Sequence, residues 1–291
     1  MKLAVIVLCF NDEEIAFKYV KTIYGYNSID KIIVVDNGSE KEIYDKLENK
    51  IQNINKRKKI DIIRNERNFG YAVGNNIGAA YAIEKYDPEI IMISNTDVSY
   101  TNDTVNKMID FIEKNENIGL ISPKMIVPDN KKYLTAWKLP TFGMMLWNSN
   151  LFLMKLYDPQ EYKNLSKDNM EVDVLPGSLL MCSSNVWNKV KGFNEKTFLY
   201  GEESLLSYKV KKAGYKNYLL NELQYIHEHS AIINQNITSV KKKMQLLYEA
   251  KCIYNVECLK TNKVQNLIYK IAFKINTWLY IKYLWIKGER N

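Results

Sequence analysis

The sequence predicts an α/β fold in which a mostly parallel or mixed central sheet carries helices on both faces. Short apolar runs alternate with longer segments that have helical spacing, through about residue 115. This alternation is typical of βαβ units, which place helices on both faces of a parallel sheet. A hydrophobic content of 46% and only 6 Pro favour a packed core over long linkers.

The first part of the chain contains four predicted strands, each followed by a helix. The acids after Asn11 suit the positive end of a helix dipole, and Ser39 is the expected cap of the next helix. In order, we predict strand 2–8, a helix from Asn11, strand 31–35, a helix after Ser39, strand 59–64, helix 71–86, strand 90–94 and helix 102–115.

The alternation stops after Pro123. Residues 128–172 have no clean period, and we expect an irregular insertion over the functional site. The later predictions are strand 173–183, helices 184–191 and 202–213, strand 215–219 and a helical chain from about 236. We therefore expect a catalytic domain over 1–235, with halves 1–100 and 101–235, and a C-terminal helical segment over 236–291.

Cysteine usage and charge constrain the compartment and the partners. The 4 Cys lack metal-type spacing, which is typical of a reduced, cytosolic protein. The apolar run after Lys2 is too short for a signal peptide, and no run of 18 apolar residues occurs. The net charge of +8 is interspersed with acids, so we expect no nucleic-acid partner. A phosphorylated substrate or the anionic inner membrane surface fits this charge better.

Two carboxylates follow predicted strands. Asp36 ends strand 31–35, and Asp97 follows strand 90–94. Open α/β sheets bind ligands outside the carboxyl ends of their strands. Turn formation by Asp36 and helix capping by Asp97 are the alternatives. Asn95 and Asp97 together offer one carboxylate and neutral oxygen, which are ligands that Mg²⁺ or Mn²⁺ prefers.

Three glycines, Gly70, Gly74 and Gly78, stand four residues apart at the start of predicted helix 71–86. Glycine allows close approach of a ligand to the backbone, and a helix start favours anions. Close packing of the helix on the sheet is the alternative. The spacing matches neither the dinucleotide fingerprint nor the phosphate loop.

An acidic pair and two histidines complete the candidate residues. Glu202 and Glu203 begin a predicted helix, where they either complement its dipole or supply a general base. His227 and His229 fall on one face of a predicted strand, but a zinc site lacks a third ligand nearby.

Taken in order, these motifs resemble the bacterial inverting glycosyltransferases of family 2, which have the GT-A fold, and especially the branch that includes rhamnosyltransferases. The resemblance covers about residues 1–230. It rests on residues 34–39, 68–72, 75–78, 94–98, 176–181, 192–195, 198–200, 202–203, 212–215 and 227.

The resemblance implies transfer of a sugar from dTDP-rhamnose or a UDP-hexose to a glycan or lipid-linked glycan in surface polysaccharide synthesis, such as capsule or O-antigen. It implies that Glu203 is the catalytic base beside Glu202, and that Asp97 binds Mg²⁺ or Mn²⁺ with His227 near the diphosphate. The nucleotide-binding residues that it implies are Cys9, Asn11, Asp36, Asn68, Gly70, Asn75 and Asn95.

Three departures from the family pattern bear on this reading. Asn95 replaces the first acid of the metal motif, Glu203 stands in place of Asp, and Leu205 stands where a further Asp is common. The alternatives are a catalytically inactive nucleotide-sugar-binding protein and a sugar-1-phosphate nucleotidyltransferase. The second would need a Gly-rich basic signature near the N-terminus, where residues 8–12 read Leu-Cys-Phe-Asn-Asp instead.

The final segment, 265–287, mixes aromatic residues such as Trp278 and Trp285 with four Lys. This composition suits a membrane interface, and we expect peripheral contact of a cytoplasmic protein with the inner face of the cell membrane. Helical spacing of its apolar residues also fits a helix packed on the catalytic domain or on the second subunit of a homodimer.

Overall fold

A mixed sheet organises the part of the chain that the computed structural model describes, residues 1–128, 133–163, 168–228 and 239–286. Its strands are β1 (Leu3–Cys9), β2 (Lys31–Asp36), β3 (Ile60–Arg64), β4 (Ile90–Ser94), β5 (Val98–Ser99), β6 (Ile118–Ile126), β7 (Met170–Val172), β8 (Leu179–Ser183) and β9 (Lys216–His227). The order is β3-β2-β1-β4-β8-β6-β9-β5, and β7 pairs with β9.

Helices cover both faces of this sheet. They are α1 (Glu13–Tyr24), α2 (Lys41–Ile54), α3 (Tyr71–Tyr86), α4 (Asn102–Lys114), α5 (Phe142–Trp147), α6 (Leu151–Leu156), α7 (Ser184–Val190), α8 (Glu202–Lys212), α9 (Val240–Glu257) and α10 (Lys263–Ile286). The predicted α/β class is confirmed, and the antiparallel strand β8 between β4 and β6 makes the sheet mixed.

The parallel strands bring their carboxyl ends to one edge of the sheet. β1 lies between β2 and β4, with Cys9 opposite Asp36 and Val7 opposite Ser94. These strands are buried on both faces, as their nearly continuous apolar sequences predict. The loops after β1, β2 and β4 therefore open side by side, which is where such sheets bind ligands.

Successive side chains along a strand point to opposite faces of the sheet, so each strand contributes to two cores. Val5 and Val7 of β1 belong to the cluster under α1, α2 and α4, whereas Ala4 and Ile6 belong to the cluster under α3, α7 and α8. A Cβ on Gly74 would lie 2.5 Å from the Leu8 side chain, and one on Gly78 would lie 2.5 Å from Ile6. These two glycines therefore serve close packing of α3 on the sheet.

The C-terminal helices pack on the insertion and on α8. A third apolar cluster joins Met145 of α5, Leu205 of α8, Tyr254 of α9, and Tyr269 and Phe273 of α10. The C-terminal segment therefore covers the side of the sheet where the insertion lies.

Helix α10 turns a second apolar face outward. The apolar residues that recur at helical spacing in the sequence are the exposed ones: Leu267, Ile268, Ile271, Ile275, Trp278 and Leu279 are 40–57% exposed. Among the described residues, no helix has the length and apolar character needed to cross a membrane. Lys287 and His229 lie outside the described residues.

Several predicted boundaries are wrong. Strand β6 was not predicted, because Gly119 and Pro123 obscure its period; a register shift in its pairing with β9 follows Pro123. The predicted strand 173–183 is a strand only over Leu179–Ser183, because Pro176 and Gly177 interrupt it. The predicted strand 215–219 extends to His227.

The predicted role of Ser39 as a helix cap is also wrong. The N-cap residue of α2 is Glu40, and the Ser39 hydroxyl accepts a hydrogen bond from the backbone N–H of Asn11 at 2.9 Å. Ser39 therefore ties the loop after β2 to the loop after β1. The expected insertion contains two short helices, α5 and α6, and strand β7, while residues 129–132 and 164–167 lie outside the described residues.

Candidate active site

A cleft of about 800 Å³ opens at the carboxyl ends of β1, β2 and β4. The cleft is lined by loops of the first half, by residues 176–178 and the start of α8, and by residues of the insertion and of α9. Of the candidate residues, Cys9, Asn68, Gly70, Asn95, Asp97, Glu202, Glu203 and His227 all line this cleft.

Three further candidates lie outside the cleft wall. Asp36 is directly behind it, next to the lining residue Asn37. Asn11 uses its side-chain oxygen to accept a hydrogen bond from the N–H of Glu40 at 3.0 Å. Asn75 is fully buried in α3 and donates to the carbonyl of Tyr71 at 3.0 Å. Asn11 therefore joins the loop after β1 to the start of α2, whereas Asn75 bonds within α3.

Asp36 is a buried carboxylate with one satisfied and one open oxygen. Oδ2 accepts the backbone N–H of Ser39 at 3.2 Å and lies 3.4 Å from Nε of Arg64. Oδ1 is buried and has no hydrogen-bond partner among the described residues. Burial raises the pKa of Asp36, although Ser39 and the charge of Arg64 oppose the rise. A buried oxygen without a donor is costly, so this atom suits an N–H of a bound base.

Asn37, which was not among the candidate residues, organises the glycine loop, which is the segment 65–70 between β3 and α3. Its amide donates to Oδ1 of Asn68 at 3.0 Å and to the carbonyl of Gly70 at 3.1 Å. Its oxygen accepts from Asn65 at 2.9 Å. Because every one of these bonds links β2 to the loop after β3, Asn37 fixes the shape of this wall. An Asn directly after a strand-end Asp was the available signal.

Gly70 is required by both conformation and space. Its φ is +88°, in the region that favours glycine, and a Cβ would lie 2.4 Å from the carbonyl oxygen of Phe198. The same carbonyl accepts the N–H of Tyr71 at 2.8 Å. Gly70 therefore allows the glycine loop to contact the segment that precedes α8, whereas Gly74 and Gly78 serve packing.

Asp97 and His227 meet at the centre of the cleft. Their neighbourhood follows from the pairing of β5 with β9, which sets Val98 opposite His227. Oδ1 of Asp97 is buried, lacks an aligned hydrogen-bond donor among the described residues, and lies 3.2 Å from Nε2 of His227. One carboxylate and one imidazole are ligands that Mn²⁺ accepts, and Mg²⁺ or Mn²⁺ commonly takes its remaining ligands from water and substrate phosphates.

Asp97 and His227 therefore suit a divalent ion only in an open site, in which the other ligands do not come from protein side chains. Among the described residues, no group of three or more His, Cys, Asp or Glu side chains forms a metal-binding cluster. The open oxygen of Asp97 and the nearby imidazole of His227 suit an ion whose other ligands are substrate oxygens and water.

Asp12 is a cleft acid that sequence reasoning treated only as a helix start. It accepts hydrogen bonds from the N–H of Phe10 at 2.8 Å and from Oγ1 of Thr96 at 3.0 Å. Burial raises the pKa of Asp12 to about 6, and the charges of Asp97 and Asp36 add to the rise. Its contact with Thr96 crosses 84 residues of sequence, so no local pattern indicates it.

The acidic pair lies at the N-terminus of α8 and lines the cleft. Burial raises the pKa of Glu203, and a backbone N–H of Gly177 partly opposes the rise. The pKa of Glu202 is raised well above its ordinary value by burial and by the charge of Glu203, and its Oε2 has no partner among the described residues. A carboxylate with a raised pKa is a better proton acceptor, which suits a general base.

Gly177 leaves the space that Glu203 uses. A Cβ at this position would lie 3.3 Å from Cγ of Glu203, and the carbonyl of Gly177 accepts the hydroxyl of Tyr71 at 2.7 Å. Leu205, by contrast, is 1% exposed in the third apolar cluster. Since a carboxylate there would be buried among apolar side chains, the departure from the family pattern at Leu205 is a matter of packing.

The geometry combines a buried carboxylate oxygen of Asp36 that has no donor among the described residues, the contact between Asp97 and His227, and the acidic pair at the start of α8. The mixed α/β sheet with these groups at the carboxyl ends of its strands has the GT-A fold, and the class of protein is a glycosyltransferase. Residues 4–167 match the sequence model of Glycosyl transferase family 2, which is more than half of the chain. The chain belongs to this family.

Known relatives and structures agree with this assignment. A low-salt glycan biosynthesis hexosyltransferase of Haloferax volcanii is 24% identical over 98% of this chain and 85% of its own. An N-acetylglucosaminyl-diphospho-decaprenol L-rhamnosyltransferase of Mycobacterium tuberculosis is 23% identical over 55% of each chain. A mannosyltransferase of Pyrobaculum calidifontis, solved with GDP-Man and Mn²⁺, shares the fold at 12% identity, with a TM-score of 0.61 over 97% of this chain and 74% of that one.

Proposed function

We propose that the protein is an inverting hexosyltransferase that moves a sugar from a nucleoside diphosphate to a hydroxyl of a glycan or lipid-linked glycan. The acceptor oxygen attacks the anomeric carbon as the bond to the diphosphate breaks, and Glu203 takes the acceptor proton. The products are the new glycoside and the nucleoside diphosphate. Attack from the side opposite the leaving group inverts the anomeric centre.

The observation that carries this proposal is the meeting of two acidic sites in one cleft. Asp97 follows β4 and contacts His227 at the end of β9. Glu202 and Glu203 begin α8 and line the same cleft. A divalent ion held by Asp97 and His227 would supply positive charge for the leaving diphosphate. Asp36 would receive the base, because its buried Oδ1 has no hydrogen-bond donor among the described residues.

The relatives guide the choice of donor and pathway. The Haloferax volcanii relative is a hexosyltransferase of glycan biosynthesis, and the Mycobacterium tuberculosis relative is a rhamnosyltransferase. We therefore propose dTDP-rhamnose or a UDP-hexose as donor and surface polysaccharide synthesis as the process. The relative from Mycobacterium tuberculosis is a transferase named for a lipid-linked diphosphate acceptor, which supports a lipid-linked glycan as one acceptor class.

The test begins with a panel of nucleotide sugars and Mn²⁺ or Mg²⁺, scored by thermal shift, since a ligand of the native state raises apparent stability. Glu203→Gln then removes the base while keeping the shape. We expect transfer to fall by roughly a hundredfold or more, with donor affinity nearly unchanged. Glu222→Gln, an exposed position on β9 outside the cleft, is the matched control.

Two outcomes contradict parts of this proposal. If Glu202→Gln abolishes transfer while Glu203→Gln does not, the base is Glu202. If the wild-type protein binds a nucleotide sugar saturably but releases no diphosphate with any acceptor, it is a binding protein of the same fold, an alternative that Asn95 in place of an acid supports.

We also propose that α10 contacts the membrane that carries a lipid-linked acceptor. Ile271, Ile275 and Trp278 are 50–55% exposed on its outer face, and Lys282 lies with its ammonium 4.1 Å from the ring centre of Trp278. An exposed apolar stripe with Lys beside it suits an anionic membrane surface. A second copy of this chain on the same face is the competing occupant.

A further inference from the structure

The cleft is also lined by a lysine of α9 whose amine makes no hydrogen bond or ion pair with the described residues. Lys251 lies on α9, and its half-buried side chain lines the cleft. Among the described residues, the one charged group that acts on its amine is Asp158. Burial lowers the pKa of its amine to about 8, and the charge of Asp158 opposes the fall. The amine is therefore still mostly protonated at neutral pH.

A second unused group faces the same part of the cleft. Asn148 is 4% exposed, and its amide donates to Oδ1 of Asp158 at 3.0 Å and to Oε1 of Gln160 at 2.8 Å. These two acceptors fix the orientation of the amide. Its own Oδ1 is buried and has no donor among the described residues. Such an atom suits a hydroxyl of a ligand, because leaving it unsatisfied is costly.

Charge in the cleft differs between the elements that line it. Asp12, Asp97, Glu202 and Glu203 lie at the strand ends and at the start of α8. On the α9 side, Lys242 and Lys251 supply positive charge, and Asp158 is the acid beside them, with Oδ1 occupied by Asn148 and by the N–H of Gln160. A ligand that reaches from the acidic pair to α9 would therefore meet a cation at its far end.

The position of Lys251 is fixed relative to the acidic pair. A Cβ on Gly201 would lie 3.2 Å from Cβ of Ala250, so α9 packs closely on the residue that precedes Glu202. Lys251 follows Ala250 directly. The groups around the amine belong to the insertion and not to the loops at Asn37 and Gly70, so this subsite is on the acceptor side.

We propose that Lys251 and Asn148 form an acceptor subsite, in which the amine binds an anionic group, phosphate or carboxylate, and the amide oxygen accepts a sugar hydroxyl. This inference rests on the proposed function, since it takes Glu203 as the group that meets the acceptor hydroxyl. It adds that the acceptor is charged near the site of transfer. A phosphate of a lipid carrier and the carboxylate of an acidic sugar share this chemistry.

The experiment measures binding of three probes to the full chain, which is first saturated with Mn²⁺ and the nucleoside diphosphate that binds. The probes are glucose 1-phosphate, glucuronate and the neutral methyl glucoside, titrated by NMR. Lys251→Met removes the charge at similar size, and Lys251→Arg keeps it. Lys241→Met, exposed on the same helix and outside the cleft, is the control.

We expect the wild-type protein and Lys241→Met to bind at least one charged probe about tenfold or more tightly than methyl glucoside. Lys251→Met should lose this preference, Lys251→Arg should keep part of it, and the affinity for the nucleoside diphosphate should stay the same in all four proteins. Preference for glucose 1-phosphate over glucuronate would indicate a phosphate-bearing acceptor, and the reverse order an acidic sugar.

Other outcomes overturn the inference. Equal binding of charged and neutral probes by the wild type, or no binding of either charged probe, leaves Lys251 as a structural lysine. An equal loss of nucleoside diphosphate affinity in Lys251→Met places the amine in the donor site instead. A wild-type protein that binds no nucleoside diphosphate refutes the proposed function itself, and this inference with it.

Discussion

Asp12→Asn should stabilise the protein at neutral pH. Asp12 is 7% exposed and lies near the carboxylates of Asp97 and Asp36. Asparagine has the same shape, its oxygen can accept the N–H of Phe10, and its amide can donate to a reoriented hydroxyl of Thr96. The substitution therefore removes a buried charge and retains both hydrogen bonds.

The magnitude follows from the two pKa values of this carboxyl. The folded protein raises the pKa of Asp12 from 3.8 to about 6. Because the folded value is the higher one, the folded state binds the proton more tightly, and stability is lost as pH rises from 3.8 through 6. The loss amounts to about 3 kcal/mol at pH 7 and only about 1 kcal/mol at pH 4.5.

Urea denaturation with a chelator present tests this at pH 7 and pH 4.5. We expect Asp12→Asn to exceed the wild type in free energy of unfolding by about 3 kcal/mol at pH 7, with the gain falling to about 1 kcal/mol at pH 4.5. Asp45→Asn, on α2 and outside the cleft, controls for loss of one carboxylate. Asp12→Ala should gain less, because it leaves the N–H of Phe10 without a partner. A gain that does not change with pH would refute the reasoning.

Three further outcomes are expected. Asp97→Ala should abolish Mn²⁺-dependent binding of nucleoside diphosphate with little effect on folding; unchanged calorimetric binding would remove Asp97 from the site. Gly70→Ala should lower the free energy of unfolding by about 1–3 kcal/mol and weaken donor binding, because of its φ and the carbonyl of Phe198. Gly143→Ala should do neither, because its added Cβ would meet only the Thr141 hydroxyl, at an ordinary distance of 4.0 Å. The double substitution Ile271→Glu and Ile275→Glu should abolish flotation of the full chain with anionic liposomes at low salt. Flotation that persists would place the membrane contact elsewhere. Loss of a dimer in the same variant would assign this face to a second copy of the chain.

Local pattern was sufficient for the parallel half of the sheet. Strands β1, β2 and β4 are short apolar runs that end in polar residues, and that pattern is set by burial on both faces. Strand β6 was missed because Gly119 and Pro123 weaken its local signal. What holds β6 in place is its pairing with β9, about 100 residues later in the chain. Sequence reasoning from short windows has no access to such a partner.

The same distinction applies to the cleft. Asp97 and Glu203, which both line the cleft, were predicted as site residues because each follows a recognisable local feature, a strand end or a helix start. Asp12 and Lys251 owe their character to groups far along the chain: Thr96 and Asp97 for the first, and the insertion with Asp158 for the second. A lysine on a polar-looking helix is ordinarily a solvated side chain. Lys251 instead lines the cleft, because α9 packs closely on Gly201.

The C-terminal helices show why the apolar pattern of a helix does not identify its buried face. The spacing of Leu267, Ile271 and Ile275 is that of an amphipathic helix, and such a stripe is usually the packed one. In the structure these residues are exposed, and Tyr269 and Phe273 between them fill the third cluster. Helix α10 is therefore apolar on two faces, of which the protein uses one. An outer face of this kind is costly in water unless a surface covers it, and α10 packs against the insertion that walls the acceptor side of the cleft. Helix α10 also packs on α9, the helix that carries Lys251, so the membrane proposal and the acceptor proposal concern two helices that contact each other.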